Sequence, residues 1–210
     1  ILSKAPARLL SAGMGDALST WFEAEACRKN GVKTMARGQE TETVAMMSRL
    51  CYDLLLRYGS EALDGVKRGE YTPALEKVVE ANILLSGVGF ESGGLAAAHA
   101  INDGFAQEPQ AHGMYHGEKV AFGVLTQLVL QKTDAQTLEE VLGFLARVEL
   151  PMTLAQLGIT EIREETLRKV AEAACVPTQS TKNLSPDITA EDVYQALLEA
   201  DRIGREYLAR

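Results

Sequence analysis

Cysteine and histidine are both scarce in this sequence, with three of each in 210 residues. Cys27, Cys51 and Cys175 stand far apart and form no CxxC pair. That spacing argues against a disulfide framework or a zinc knuckle and predicts reduced, buried thiols. Long hydrophobic runs are missing too: ILLSGVG at 83–89 falls well short of the roughly 20 residues a membrane-spanning helix needs. No basic-then-apolar leader opens the chain, so a soluble cytoplasmic protein is expected. Positive charge is in deficit, 21 Lys and Arg against 29 Asp and Glu, for a formal net charge of -8. A chain of that sign repels nucleic-acid phosphates and anionic membranes, which leaves small molecules or other proteins as partners. Period-two apolar alternation is nearly absent, which argues against half-buried strands.

What the chain has instead is helical periodicity, in a composition (46% hydrophobic, 24% charged) able to build a sizeable core. Val44, Met47, Leu50, Cys51, Leu54 and Leu55 recur at three- and four-residue steps, with Gly59 as a natural stop. Similar stripes follow Pro73 (Leu75, Val78, Val79, Asn82, Ile83) and run through Val141, Leu142, Leu145 and Val148. A last stripe, Val193, Leu197, Ala200, Ile203 and Leu208, follows Thr189, a good cap with acidic residues in the first turn. Breaks are predicted at Gly31 to Gly38, Gln107 to Gly113 and Leu150-Pro151, and over 177–187, the longest polar stretch, read as a surface loop. The triplet at Asn183 to Ser185 is nominally a glycosylation acceptor, but Pro186 follows and nothing suggests secretion. One all-α domain over residues 1–210, a multi-helix bundle of roughly eight to ten helices, is the expected architecture. The chain begins at Ile1 without a methionine, in an amphipathic pattern already under way, so a fragment or processed piece is expected.

Two glycine-rich stretches raise a nucleotide-binding reading. GVGFESGG at 87–94 lacks the GxGxxG spacing and follows no strand, and GMG at 13–15 is a lone GxG. Close helix packing or a helix break is the readier account of Gly87, Gly89, Gly93 and Gly94, with a ligand-lining role as the alternative.

All three histidines, His99, His112 and His116, fall between residues 95 and 117. Imidazole is the commonest side-chain metal ligand and titrates near neutral pH. His99 lies among small apolar residues, where a charged imidazolium is poorly solvated, so it is expected to be neutral and either hydrogen-bonded or coordinated. His116 opens an apolar helix, whose dipole disfavours added positive charge and so favours the neutral ring that metals bind. Structural histidines satisfied by packing are the bland alternative. A catalytic metal site uses three protein ligands and leaves a position open. Asp16, after an expected flexible Gly-Met-Gly turn at 13–15 and at the expected start of a helix, is the leading third ligand, with helix capping as its competing role. Glu91, Asp103 and Glu118 are nearer in sequence and stay open.

These blocks match a known pattern. From KAPARLL through AGMGDALSTWFEA, TPALEKVVEAN, LSGVGFESGGLAAAHAI, YHGEKVAFG and TLAQLGI, essentially the whole chain resembles the C-terminal helical domain of bacterial glycerol dehydrogenases, within the iron-containing (group III) alcohol dehydrogenase family. The resemblance implies that Asp16 in the GxGDAL segment, His99 in AAAHAI and His116 in HGEKVA hold the metal and meet the substrate there, and that His112 does not. It also implies an NAD-dependent oxidation of glycerol to dihydroxyacetone with zinc, or iron as in some relatives, in a homo-oligomer. The main NAD site belongs to an N-terminal α/β domain outside this chain, so the chain alone is expected to bind metal without turning over substrate. One departure stands out: the segment after His99 reads HAINDG, with Asn102 where such enzymes often carry a second histidine. That residue is not a ligand in the pattern, but it bears on substrate fit.

Overall fold

A helix buried on every side needs apolar residues all round it, and two segments of this chain have them. In the computed structural model, which describes residues 4–35 and 37–210, these form α1 (Ala7–Lys29) and, later, α6 (His116–Leu130). Met14, Leu18 and Cys27 are buried on α1, and Val120, Phe122 and Leu125 on α6. The two pack directly on each other at the centre of the molecule. The expectation attached to Ile1 falls outside the described residues.

Amphipathic helices cover this pair. α2 (Glu42–Lys67) starts where the Thr41 hydroxyl accepts the Val44 amide, a cap that stabilises a helix by about 1 kcal/mol. It runs straight through Gly59, where a stop was expected. The reason is tertiary: a Cβ at Gly59 would press on Phe144 and Met14 at 3.0 Å and 3.1 Å, so the missing side chain there makes room for neighbours. α3 (Pro73–Val79) begins at Pro73, which the sequence places just before its stripe, and Thr72 is its cap. It continues without a break through a π-helical stretch, Glu80–Leu85, into α4 (Ser86–Gly93), and ends at Gly94 in the left-handed region (φ 107°). Ile83, counted in the apolar stripe, is exposed, because the wider π turn carries it off the buried face.

α5 (Ala97–Gly104) crosses beside α1 and α6, and two short 3₁₀ turns, Phe105–Gln107 and Pro109–Ala111, lead from it to α6. α7 (Ala135–Arg147), α8 (Glu164–Ala174), the single turn α9 (Thr181–Leu184) and α10 (Ala190–Leu208) complete the bundle. α9 corrects the reading of 177–187 as a surface loop: Thr181 and Leu184 are buried, and the Thr181 hydroxyl donates to the Ala174 carbonyl at 2.6 Å. Polar composition misled there because the polar groups are satisfied internally. No strand occurs among the described residues, and no helix of theirs is long and apolar enough to cross a membrane. Cys27 and Cys51 are buried thiols and Cys175 is half-buried, none of them bridged.

Candidate metal centre

Asp16 lies in the interior of α1, with Gly13 and Gly15 helical before it. The expected Gly-Met-Gly turn is absent, and with it the capping role for Asp16. The glycines serve packing instead. A Cβ on Gly15 would lie 2.4 Å from the Gly117 carbonyl oxygen, and one on Gly117 would lie 1.8 Å from that of Ala12. α1 and α6 therefore meet backbone to backbone, which sets His116, the first residue of α6, beside Asp16.

His99 is the third residue of α5, a helix whose N-terminus carries no local side-chain cap. Its orphan amides are satisfied from elsewhere. Glu23 Oε1 on α1 accepts from the Ala96 and His99 amides at 2.8 Å and 3.1 Å, and Gln127 Oε1 on α6 accepts from Ala98 at 3.0 Å. The two inner helices thus hold α5 by its first turn and bring His99 into place.

The three side chains converge. Asp16 Oδ1 lies 3.3 Å from His99 Nε2 and 3.2 Å from His116 Nε2, and the ring centroids are 5.4 Å apart. One ligand atom from each falls within 4.8 Å of the others, the single such grouping found among the described residues. They form one wall of a cavity of about 330 Å³ whose other walls include Ser19, Thr20, Asn82, Ser86, Gly87 and Phe90. Asp16 Oδ1 is buried and has no hydrogen-bond partner. A buried carboxylate oxygen without a donor calls for a cation or an acidic proton, and the facing imidazole nitrogens complete a donor set suited to zinc or iron.

The electrostatics point the same way. Burial works against the Asp16 carboxylate, but the His116 and His99 imidazoles outweigh it and hold the group well below the usual carboxylate range. The structure corrects the neutral His99 expected from its apolar neighbours: burial does oppose its charge, but Glu23 and Asp16 on either side carry its pKa up to about 10. The pocket therefore favours positive charge at His99, and a dication bound there would replace that proton.

The other acids are elsewhere. Glu91 is exposed, Asp103 accepts from Asn102 and Gln179, and Glu118 pairs with Arg8 at 2.5 Å and accepts the Tyr115 amide at 2.7 Å. His112 is exposed and turned to the Ala106 carbonyl. Asn102 is 6% exposed, bonded to Asp103, and outside the cavity wall. Among the glycines of 87–94, Gly89 and Gly93 give close packing against Thr20 and Ala24, and Gly87 lines the cavity. Sequence reasoning missed Glu23. It is wholly buried, and its Oε2 lies 2.5 Å from His99 Nδ1. The signal was available: Glu23 follows Asp16 by seven residues, two helical turns, and so shares its face of α1.

No protein-family model matches the sequence. A glycerol dehydrogenase of Pseudomonas putida is 51% identical over 208 residues, covering 99% of this chain and 57% of the relative. The chain is a homologue of the C-terminal part of glycerol dehydrogenases. This glycerol dehydrogenase homologue spans little more than half the length of the curated relatives it matches. The crystal structure of Schizosaccharomyces pombe glycerol dehydrogenase superposes with a TM-score of 0.95 at 38% identity, over 99% of this chain and 54% of that one. An iron-containing alcohol dehydrogenase from Thermococcus thioreducens, at 16% identity, shares the fold with a TM-score of 0.68 over 95% of this chain and 52% of its own. The helical architecture of the homologue is that of the C-terminal domain of group III alcohol dehydrogenases.

Proposed function

We propose that this chain is the metal-bearing catalytic domain of an NAD-dependent glycerol dehydrogenase that oxidises glycerol to dihydroxyacetone. Asp16, His99 and His116 are its metal ligands and zinc its resident ion, with iron as the alternative that the same donors accept. The observation that carries this reading is the approach of both Nε2 atoms to one unpartnered carboxylate oxygen, at 3.2 Å and 3.3 Å, in a cavity wall. A bound dication would supply Lewis acidity that lowers the pKa of an alcohol hydroxyl.

The chain's own residues do the rest. One carboxylate and two neutral imidazoles leave a bound dication with net positive charge, which favours an anionic oxygen over a neutral one. Thr20 and Ser86, whose hydroxyls lie 3.0 Å apart, also line the cavity and can hydrogen-bond a further hydroxyl of a vicinal diol. The Phe90 ring, centred 6.4 Å from that of His99, shields one side of the site from water. Hydride acceptance belongs to NAD, held by the part of the longer relatives that this chain does not span, in a cytoplasmic homo-oligomer acting on a small polyol.

Adding zinc to the metal-free protein tests the ligand set. Tight binding of a single equivalent is expected, and its loss in Asp16→Ala and His99→Ala. Undiminished binding in those variants overturns the assignment. The chain alone, loaded with zinc and given glycerol and NAD, is expected to form no NADH.

A further inference from the structure

Glu23 is wholly buried, and its carboxylate meets His99 but no Lys or Arg among the described residues. Its two oxygens do different work. Oε1 receives the Ala96 and His99 amides at 2.8 Å and 3.1 Å, which caps α5 and fixes the plane of the carboxylate. Oε2 is left 2.5 Å from His99 Nδ1. A carboxylate can only accept, so the hydrogen of that contact sits on Nδ1. Neutral imidazole carries one proton on two nitrogens, and a proton on Nδ1 leaves Nε2 bare. Nε2 is the atom that faces Asp16.

We propose that Glu23 is a positioning residue that sets the tautomer of His99: by accepting Nδ1–H it turns a lone pair on Nε2 towards the cation position beside Asp16. This deepens the metal reading and rests on it. Residues that fix the outer nitrogen of a ligating histidine raise metal affinity by orienting the ring and making it more basic. The capping role of Oε1 is separable from this, because the backbone amides donate to any carbonyl oxygen in that place.

Glu23→Gln separates the two roles. The two backbone amides keep the glutamine carbonyl at the Oε1 position, so its NH₂ must face Nδ1. Two N–H groups cannot share that contact, and the ring can accept from the glutamine only by moving its proton to Nε2, where it points at Asp16. The expected results are a zinc affinity lower by roughly 10- to 100-fold, a thermal midpoint close to that of the parent, and ring-nitrogen NMR signals that place the His99 proton on Nδ1 in the zinc-loaded parent and on Nε2 in the zinc-free variant. A purely capping role predicts the opposite for the variant: unchanged affinity and an unmoved proton, a result that overturns the proposal. If the variant does not fold, the parent decides, since a zinc-loaded parent with Nδ1 bare also overturns it. Absence of zinc binding by the parent overturns the metal reading and this proposal together, whereas normal binding with no effect of Glu23→Gln overturns this proposal alone.

Discussion

At the scale of single residues, three side chains with buried carboxylate oxygens receive different treatment. Glu23 is surrounded by donors, and Asp16 faces two imidazoles. Glu40 has neither: its side chain is 3% exposed, both oxygens lack a hydrogen-bond partner among the described residues, and Arg28 approaches only to 3.5 Å. Burial raises the Glu40 pKa, Arg28 opposes that, and Glu42 adds to it. A carboxyl whose folded pKa lies above its unfolded value penalises the folded state wherever the unfolded chain is ionised, that is, from the ordinary carboxylate range upward. Glu40→Gln removes that penalty, while the largely exposed Arg28 loses little. The variant is expected to melt higher than the parent near neutral pH, with the advantage shrinking as pH falls through the carboxylate range, because the parent then becomes neutral too. Thermal melts at several pH values check this; an advantage that grows on acidification contradicts the account.

At the scale of elements, the site depends on how closely α1 and α6 approach. Gly117 meets the Ala12 carbonyl oxygen so tightly that a Cβ would lie 1.8 Å from it, and backbone has no rotamer with which to yield. Gly117→Ala is therefore expected to destabilise the fold by about 1–3 kcal/mol or more and, because His116 is its neighbour, to weaken zinc binding as well. Gly87 is the control, since a Cβ there meets nothing within 4 Å. Gly87→Ala lies inside α4 and is expected to stabilise by roughly 0.5–1 kcal/mol through helix propensity alone. Denaturant unfolding of the two variants distinguishes them, and similar effects in both would contradict the packing argument. The same contrast explains what could be read from the sequence. Periodicity identified α2, α7 and α10, and residue type the cap at Thr189, because those signals are local. Gly59, Gly13 and Gly15 were misread as punctuation because a glycine that admits a neighbouring helix looks, in one dimension, like a glycine that ends its own. The convergence of Asp16, His99 and His116 was legible through segment resemblance and histidine clustering, whereas the contact of Glu23 with His99 became visible only once α5 was placed across α1.

At the scale of the whole molecule, Asp16 lies far in sequence from His99 and His116, and the three candidate ligands sit on three helices, α1, α5 and α6, that pack against one another. In an unfolded chain they cannot share an ion with this geometry, so a cation that engages all three binds the native state and stabilises it by mass action. At a free zinc concentration about a hundredfold above the dissociation constant the gain is roughly 2.7 kcal/mol, and for a chain near this size that corresponds to a rise of roughly 5–10 °C in the melting midpoint. Saturating zinc is expected to produce such a rise, a chelator to reverse it, and amide exchange to slow most in α1, α5 and α6. Asp16→Ala is expected to melt at the same temperature with and without zinc, since α1 then offers the ion no ligand in the cavity wall. A zinc-induced rise of equal size in that variant would mean that the ion binds elsewhere, and would remove the link between the convergence of these helices and the chemistry proposed for the cavity.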